Sequence, residues 1–116
     1  MTPNEYQERC LDTAINDYVK STNDLLLQGV MGLCGESGEC IDIVKKHKWQ
    51  GHLFGNEEKE HLARELGDAL FYLATTAYSI GWTLEDIMLL NREKLSVRYK
   101  DHFDPEASIH RREGDI

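Results

Sequence analysis

Apolar residues recur along the chain at intervals of three and four, the period of a helix that buries one stripe, and no sustained two-residue alternation marks a strand. The pattern predicts four long helices. Thr2 reads as an N-cap, with Pro3 at the first helical position and Glu5 closing a capping box, and the helix that follows is expected to reach about Lys20 with Tyr6, Cys10, Leu11, Ala14, Tyr18 and Val19 inward. Ser21 to Asp24 is a turn ending in a new cap. A second helix, from about Asp24 to Trp49, carries Leu26, Val30, Leu33, Cys34, Ile41 and Val44 toward the core. It also holds Gly29, Gly32, Gly35 and Gly38, each costing about 1 kcal/mol relative to alanine. The helix either breaks near Gly32 or lets another backbone or a ligand come close, and Gly35 and Gly38, which flank acids, are the favoured places for that approach.

Gly51 suits a helix C-terminus and Asn56 a new N-cap. The third helix should then run to about Ile80, burying Leu62, Leu66, Ala69, Leu70, Leu73 and Ala77, with His61, Glu65, Asp68 and Tyr72 on the stripe beside them. After Gly81, Thr83 caps a fourth helix that faces the core with Leu84, Ile87, Met88 and Leu95. Beyond Tyr99 the pattern fades. The expectation is an all-α bundle of about four helices forming one domain over residues 1–100, with residues 101–116 as a C-terminal tail or docked arm.

Composition narrows the function. A chain of 116 residues is one domain in size, and its two prolines lie near the ends, leaving the interior free for long helices. A formal charge of −8 disfavours a nucleic-acid polymer or an anionic membrane as partner. The three cysteines, Cys10, Cys34 and Cys40, have no metal or disulfide spacing and read as small buried hydrophobes in a reducing compartment. The N-terminus has no signal layout and no apolar run is long enough to span a bilayer, so a soluble, cytoplasmic protein is expected.

Two acid pairs stand out, Glu36 with Glu39 and Glu65 with Asp68. Residues three apart share a helix face, so two packed helices would converge four carboxylates. A hard divalent cation between them would relieve the repulsion, and ordinary half-buried ion pairs would also account for the pattern. Only one Glu-x-x-His motif occurs, Glu58 to His61, which disfavours a di-iron centre; all-oxygen ligands suit Mg²⁺ or Mn²⁺. Mg²⁺ commonly shares its shell with substrate phosphates, which makes a phosphate compound the natural substrate.

Asn91, Lys94 and Arg98 form a polar stripe on the fourth helix. Lys94 and Arg98 read equally as cations for a polyphosphate and as a basic helix end that complements the dipole. For the cluster Lys45-Lys46-His47-Lys48 the dipole-and-solvent reading is favoured. Trp49 and Phe54 could stack on a base, but loop packing is the better account of both. Phosphate-binding glycine loops and a serine nucleophile elbow are absent from the sequence.

The segments Gly32-Leu33-Cys34-Gly35-Glu36-Ser37-Gly38-Glu39, Glu65-Leu66-Gly67-Asp68 and Asn91-Arg92-Glu93-Lys94-Leu95-Ser96-Val97-Arg98-Tyr99, in this order, resemble the MazG-like all-α nucleoside triphosphate pyrophosphohydrolases. The likeness extends from Glu5-Tyr6-Gln7 to the stretch from Ser108 to Arg112. It implies that Glu36, Glu39, Glu65 and Asp68 ligate Mg²⁺, that Lys94 and Arg98 contact phosphate with Asn91 beside them, and that a (deoxy)nucleoside triphosphate is hydrolysed to the monophosphate and pyrophosphate. Glu36 is the candidate base. Homodimers or homotetramers are implied as well, in keeping with the several apolar stripes. Two positions depart from the pattern: Gly35 replaces a glutamate that many members carry, and His61 a lysine found in some. Gly35 keeps a second reading in play, a catalytically silent helical oligomer that binds nucleotide or a partner protein around a structural metal.

Overall fold

A computed structural model of the chain describes residues 1–100, 102–111 and 114–116. Asp101, at the expected start of the arm, and Arg112, at the end of the family-like stretch, lie outside the described residues. Five helices and no strand occur among the described residues: α1 (Pro3–Ala14), α2 (Thr22–Gln50), α3 (Asn56–Ser79), α4 (Leu84–Tyr99) and a short α5 (Pro105–Ile109). The all-α bundle is as the periodicity predicts.

Local chemistry sets the helix ends. The Thr2 hydroxyl accepts from the Glu5 N–H at 3.1 Å and Pro3 opens α1. That helix stops at Ala14 and does not reach Lys20, because Asn16 offers the backbone another set of partners. Its side-chain amide donates to the Ala14 carbonyl at 3.1 Å while its Oδ1 accepts from the Tyr18 N–H at 2.8 Å. The resulting turn buries Val19 and leaves Tyr18 in solvent.

Ser21 caps α2, its Oγ accepting from the Asp24 N–H at 3.0 Å, so the helix begins at Thr22 and not at Asp24. Gly51 ends it at φ 74°, a left-handed conformation that glycine adopts without penalty. At the start of α3 the cap position is Gly55 and not Asn56; the Glu58 carboxylate reaches back to the Gly55 N–H at 3.0 Å. Thr83 and Asp86 form the capping box of α4.

The central element is α3, with α2 antiparallel along one side and α1 on another, while α4 packs on both α1 and α3. Helix α2 runs unbroken through its four glycines. Close approach occurs at Gly29 and Gly32, where an added Cβ would strike the Thr76 side chain and, at 2.5 Å, the Tyr72 ring. Nothing lies within 4 Å of such an atom at Gly35 or Gly38, the positions favoured from sequence. The glycine notch selects which face of α2 meets α3. Leu25 and Gly29 are buried on that face, whereas Val30, Cys34, Ile41 and Val44, expected inward, are exposed. Leu66, Leu70 and Met88 are likewise exposed.

The core that remains is small. Cys10, Ala74 and Leu84 form one cluster with Tyr6, Phe71 and Leu73 against it, and Ala14, Val19 and Leu25 form a second that shares Phe71. One buried polar side chain joins the elements: Gln7 donates to the Ala74 and Trp82 carbonyls at 3.0 and 3.1 Å and accepts from the Leu84 N–H at 3.2 Å. It thereby holds α1 against the turn between α3 and α4.

Candidate functional site

The seam between α2 and α3 descends from Gly29 opposite Thr76, past Gly32 opposite Tyr72, to Glu36 opposite Glu65 and Asp68. Antiparallel packing thus brings the first member of one acid pair onto both members of the other. One carboxylate oxygen from each of Glu36, Glu65 and Asp68 lies within 4.8 Å of the others. Glu36 and Glu65 are half-buried on the seam itself, closer to the helix contact than the shoulder position expected from sequence; Asp68 is exposed. Glu39, one turn further along α2, is exposed and stands outside this trio.

Electrostatics marks Glu36 as the strained member. Its carboxyl is pushed above the usual range, chiefly by a hydrogen bond with Glu65, then by burial and by the charges of Asp68, Glu65 and Glu39. A cation placed among these oxygens would relieve their mutual repulsion. The donor set is all oxygen and hard, so it fits Mg²⁺ or Mn²⁺ and not a thiolate-seeking metal.

Several neighbours complete the surroundings. A cavity of about 480 Å³ is lined by Thr13, Glu36, Asp68, Phe71 and Tyr72. Tyr72 belongs to the polar stripe of α3 noticed in the sequence, but Thr13 reaches the acids only because α1 crosses α3, which no local pattern announces. His61 Nε2 meets Glu65 Oε1 at 3.1 Å, so the residue standing in place of a lysine touches one of the acids. Tyr6 is held neutral, its phenol pushed up to about 12 by burial, by a hydrogen bond with Cys10 and by nearby charge including that of Asp68.

The polar stripe of α4 is placed elsewhere. Asn91 lines an apolar groove of about 650 Å³ between α1, α3 and α4. Lys94 lines a second groove, of about 490 Å³, closed by Gly114, Asp115 and Ile116. Arg98 is engaged by the arm: its Nε and Nη2 donate to the two Asp115 oxygens at 2.8 and 2.7 Å. Nothing in the sequence around Asp115 signals this pairing. At the far end of α2, Lys45 and Lys46 pair with Asp42 at 3.9 and 2.7 Å, consistent with a solvated basic helix end. Trp49 is exposed there, and Phe54 packs against His47 with ring centroids 5.5 Å apart. Of the cysteines, only Cys10 is buried, Cys40 is half-buried, and Cys34, expected inside, is exposed.

A hairpin of long helices with facing carboxylates, braced by two shorter helices, defines an all-α protein with an acidic cluster that could hold a cation. The chain belongs to the family of the MazG nucleotide pyrophosphohydrolase domain, whose family model matches residues 24–103, from the first turn of α2 through α4. It is also 32% identical over 96 residues to the Gene 37 protein of Mycobacterium phage L5, a match covering 80% of this chain and 84% of that protein. No solved structure matches the chain. No helix among the described residues is long and apolar enough to cross a membrane.

Proposed function

We propose that the protein is a Mg²⁺-dependent hydrolase that cleaves a (deoxy)nucleoside triphosphate between its α- and β-phosphates, yielding the monophosphate and pyrophosphate. The observation that carries this reading is the carboxylate trio within 4.8 Å across the α2–α3 seam. It lies inside the stretch matched by the nucleotide pyrophosphohydrolase family. Glu36, Glu65 and Asp68 are the residues that would hold Mg²⁺ or Mn²⁺, with Glu39 completing the set from the next turn of α2. The ion, when bound, supplies positive charge to the phosphate oxygens and acidifies a water.

The chain's own groups do the rest. Glu36 stands on the seam with its carboxyl raised above the usual range by Glu65, burial and the neighbouring acids, which makes it the stronger base and the group that would take the proton of the attacking water at a carboxylate oxygen. Glu65 and His61 hold one another in register at 3.1 Å. Lys94 and Arg98 are the cations for the polyphosphate, with Asn91 as a neutral donor beside them; α4 must bring them to the acids of its own or a neighbouring protomer. Charge on the leaving pyrophosphate is then offset where it develops.

A homodimer or homotetramer is part of the same reading. The radius of gyration is 17.2 Å, against about 13 Å expected for a compact chain of this length. The accessible surface is 8751 Å², against about 6,500 Å² for a folded monomer of this mass. The excess, on the order of 2,000 Å² per protomer, is what an obligate interface covers. Exposed Leu27, Val30, Met31, Ile41 and Val44 on α2 supply its apolar part.

A pyrophosphate-release screen over canonical and damaged nucleotides tests the reading. Release with Mg²⁺, abolished by EDTA and lowered about 100-fold or more by Asp68→Asn, is expected. Metal-stabilised folding with no product from any nucleotide would instead favour the silent oligomer.

A further inference from the structure

The Arg98–Asp115 pair has the form of a ligand complex. A guanidinium presents two parallel donors, and the carboxylate meets both, at 2.8 and 2.7 Å, with the two side chains only 8% and 7% exposed. The same fork can donate to two oxygens of a phosphate. Asp115 also lies with Lys94 on the groove beside α4, and the hydrogen bond from Arg98, followed by the charges of Arg98, Arg111 and Lys94, holds its carboxyl below the usual range. Three cations therefore act on one carboxylate that belongs to the arm.

We propose that Asp115 is an internal competitor for the polyphosphate, occupying the Arg98 fork and the Lys94 groove until substrate displaces it. This rests on the reading of Lys94 and Arg98 as phosphate cations. The arm is tethered to α4, so its carboxylate competes at an effective concentration on the order of mM. A singly charged carboxylate at that concentration excludes weakly held anions, while a polyphosphate with several charges can engage Arg98 and Lys94 together and win. The arm thus raises the affinity threshold for entry by the same factor for every anion that must displace it from the fork.

The test is calorimetric titration of the full chain with inorganic pyrophosphate in EDTA, so that no cation at the carboxylate trio contributes. Asp115→Asn should bind pyrophosphate at least about 10-fold more tightly than the unaltered chain, the equivalent of about 1.4 kcal/mol. Adding Arg98→Gln should erase the gain. Asp115→Glu, which keeps the carboxylate, should bind like the unaltered chain. Equal affinity in Asp115→Asn and the unaltered chain would overturn the proposal. So would a gain that survives Arg98→Gln, or one that Asp115→Glu shares, since either would trace to a loosened arm and not to a vacated fork. If no variant hydrolyses any nucleotide, the proposed activity fails, and these affinities still decide the role of Asp115.

Discussion

At the scale of single residues, a few polar side chains do work that the apolar pattern does not announce. Gln7 is the clearest case: one buried amide satisfies three backbone groups on two other segments. Gln7→Leu keeps the bulk and strands those groups, so unfolding stability should fall by about 1–3 kcal/mol, read as a drop in Tm of several degrees; an unchanged Tm would show that water takes over the amide's partners. Asp115 belongs to the same category. Because Arg98 depresses its folded pKa, the pair's contribution to docking is complete above the ordinary aspartate range and is lost only as pH falls through the depressed value. Hydrogen exchange of the arm, corrected for intrinsic rates, should be flat from about pH 8 to about pH 5 and rise only in stronger acid. A rise near neutral pH would contradict control by Asp115. The acids were legible because spacing alone puts each pair on one face, whereas Gln7, Thr13 and Asp115 act on partners far away in sequence, which no local window contains.

At the scale of the element, α2 shows how small residues choose between two apolar faces. Its periodicity is compatible with either face inward, and Val30, Cys34, Ile41 and Val44, expected inward, are exposed. Gly29 and Gly32 decide the matter by admitting Thr76 and Tyr72. The seam that follows carries Glu36 onto Glu65 and Asp68, so the notch that sets the packing also assembles the trio. Gly29→Ala and Gly32→Ala should each overpack the seam and destabilise by about 1–3 kcal/mol, while Gly35→Ala and Gly38→Ala, with open space around the new methyl, should stabilise by up to about 1 kcal/mol. Denaturant midpoints for the four variants test this; four shifts of one sign would refute the assignment of the seam. Helix α1 carries a related lesson. Its stripe continues through Tyr18 and Val19, yet Asn16 turns the chain first, because a side-chain amide competes for the same backbone partners as the helix.

At the scale of the whole molecule, the four long helices and their order were readable because caps and glycines punctuate strongly periodic segments, whereas the short α5 lies where only a tail or arm was expected. What was not readable was how much apolar surface one copy would leave uncovered. An acidic chain that buries so few apolar side chains yet exposes Met31, Ile41 and Val44 along one helix leaves a face that, on the proposed reading, a second copy would cover. Sedimentation equilibrium should give a dimer or tetramer, and Met31→Glu or Ile41→Glu should shift it toward monomer with lower thermal stability. A monomer at all concentrations would remove this part of the account.

The central claim is that the carboxylate trio on the α2–α3 seam supports water attack at the α-phosphorus of a nucleoside triphosphate. Phosphorus NMR of the reaction in heavy-oxygen water, with Mg²⁺ and a nucleotide that the release screen identifies, tests it most directly. Attack at the α-phosphorus places one heavy oxygen in the monophosphate and none in the pyrophosphate, and the reaction should be lost in Asp68→Asn. Label in the pyrophosphate, inorganic phosphate as the first product, or undiminished turnover in Asp68→Asn would contradict it.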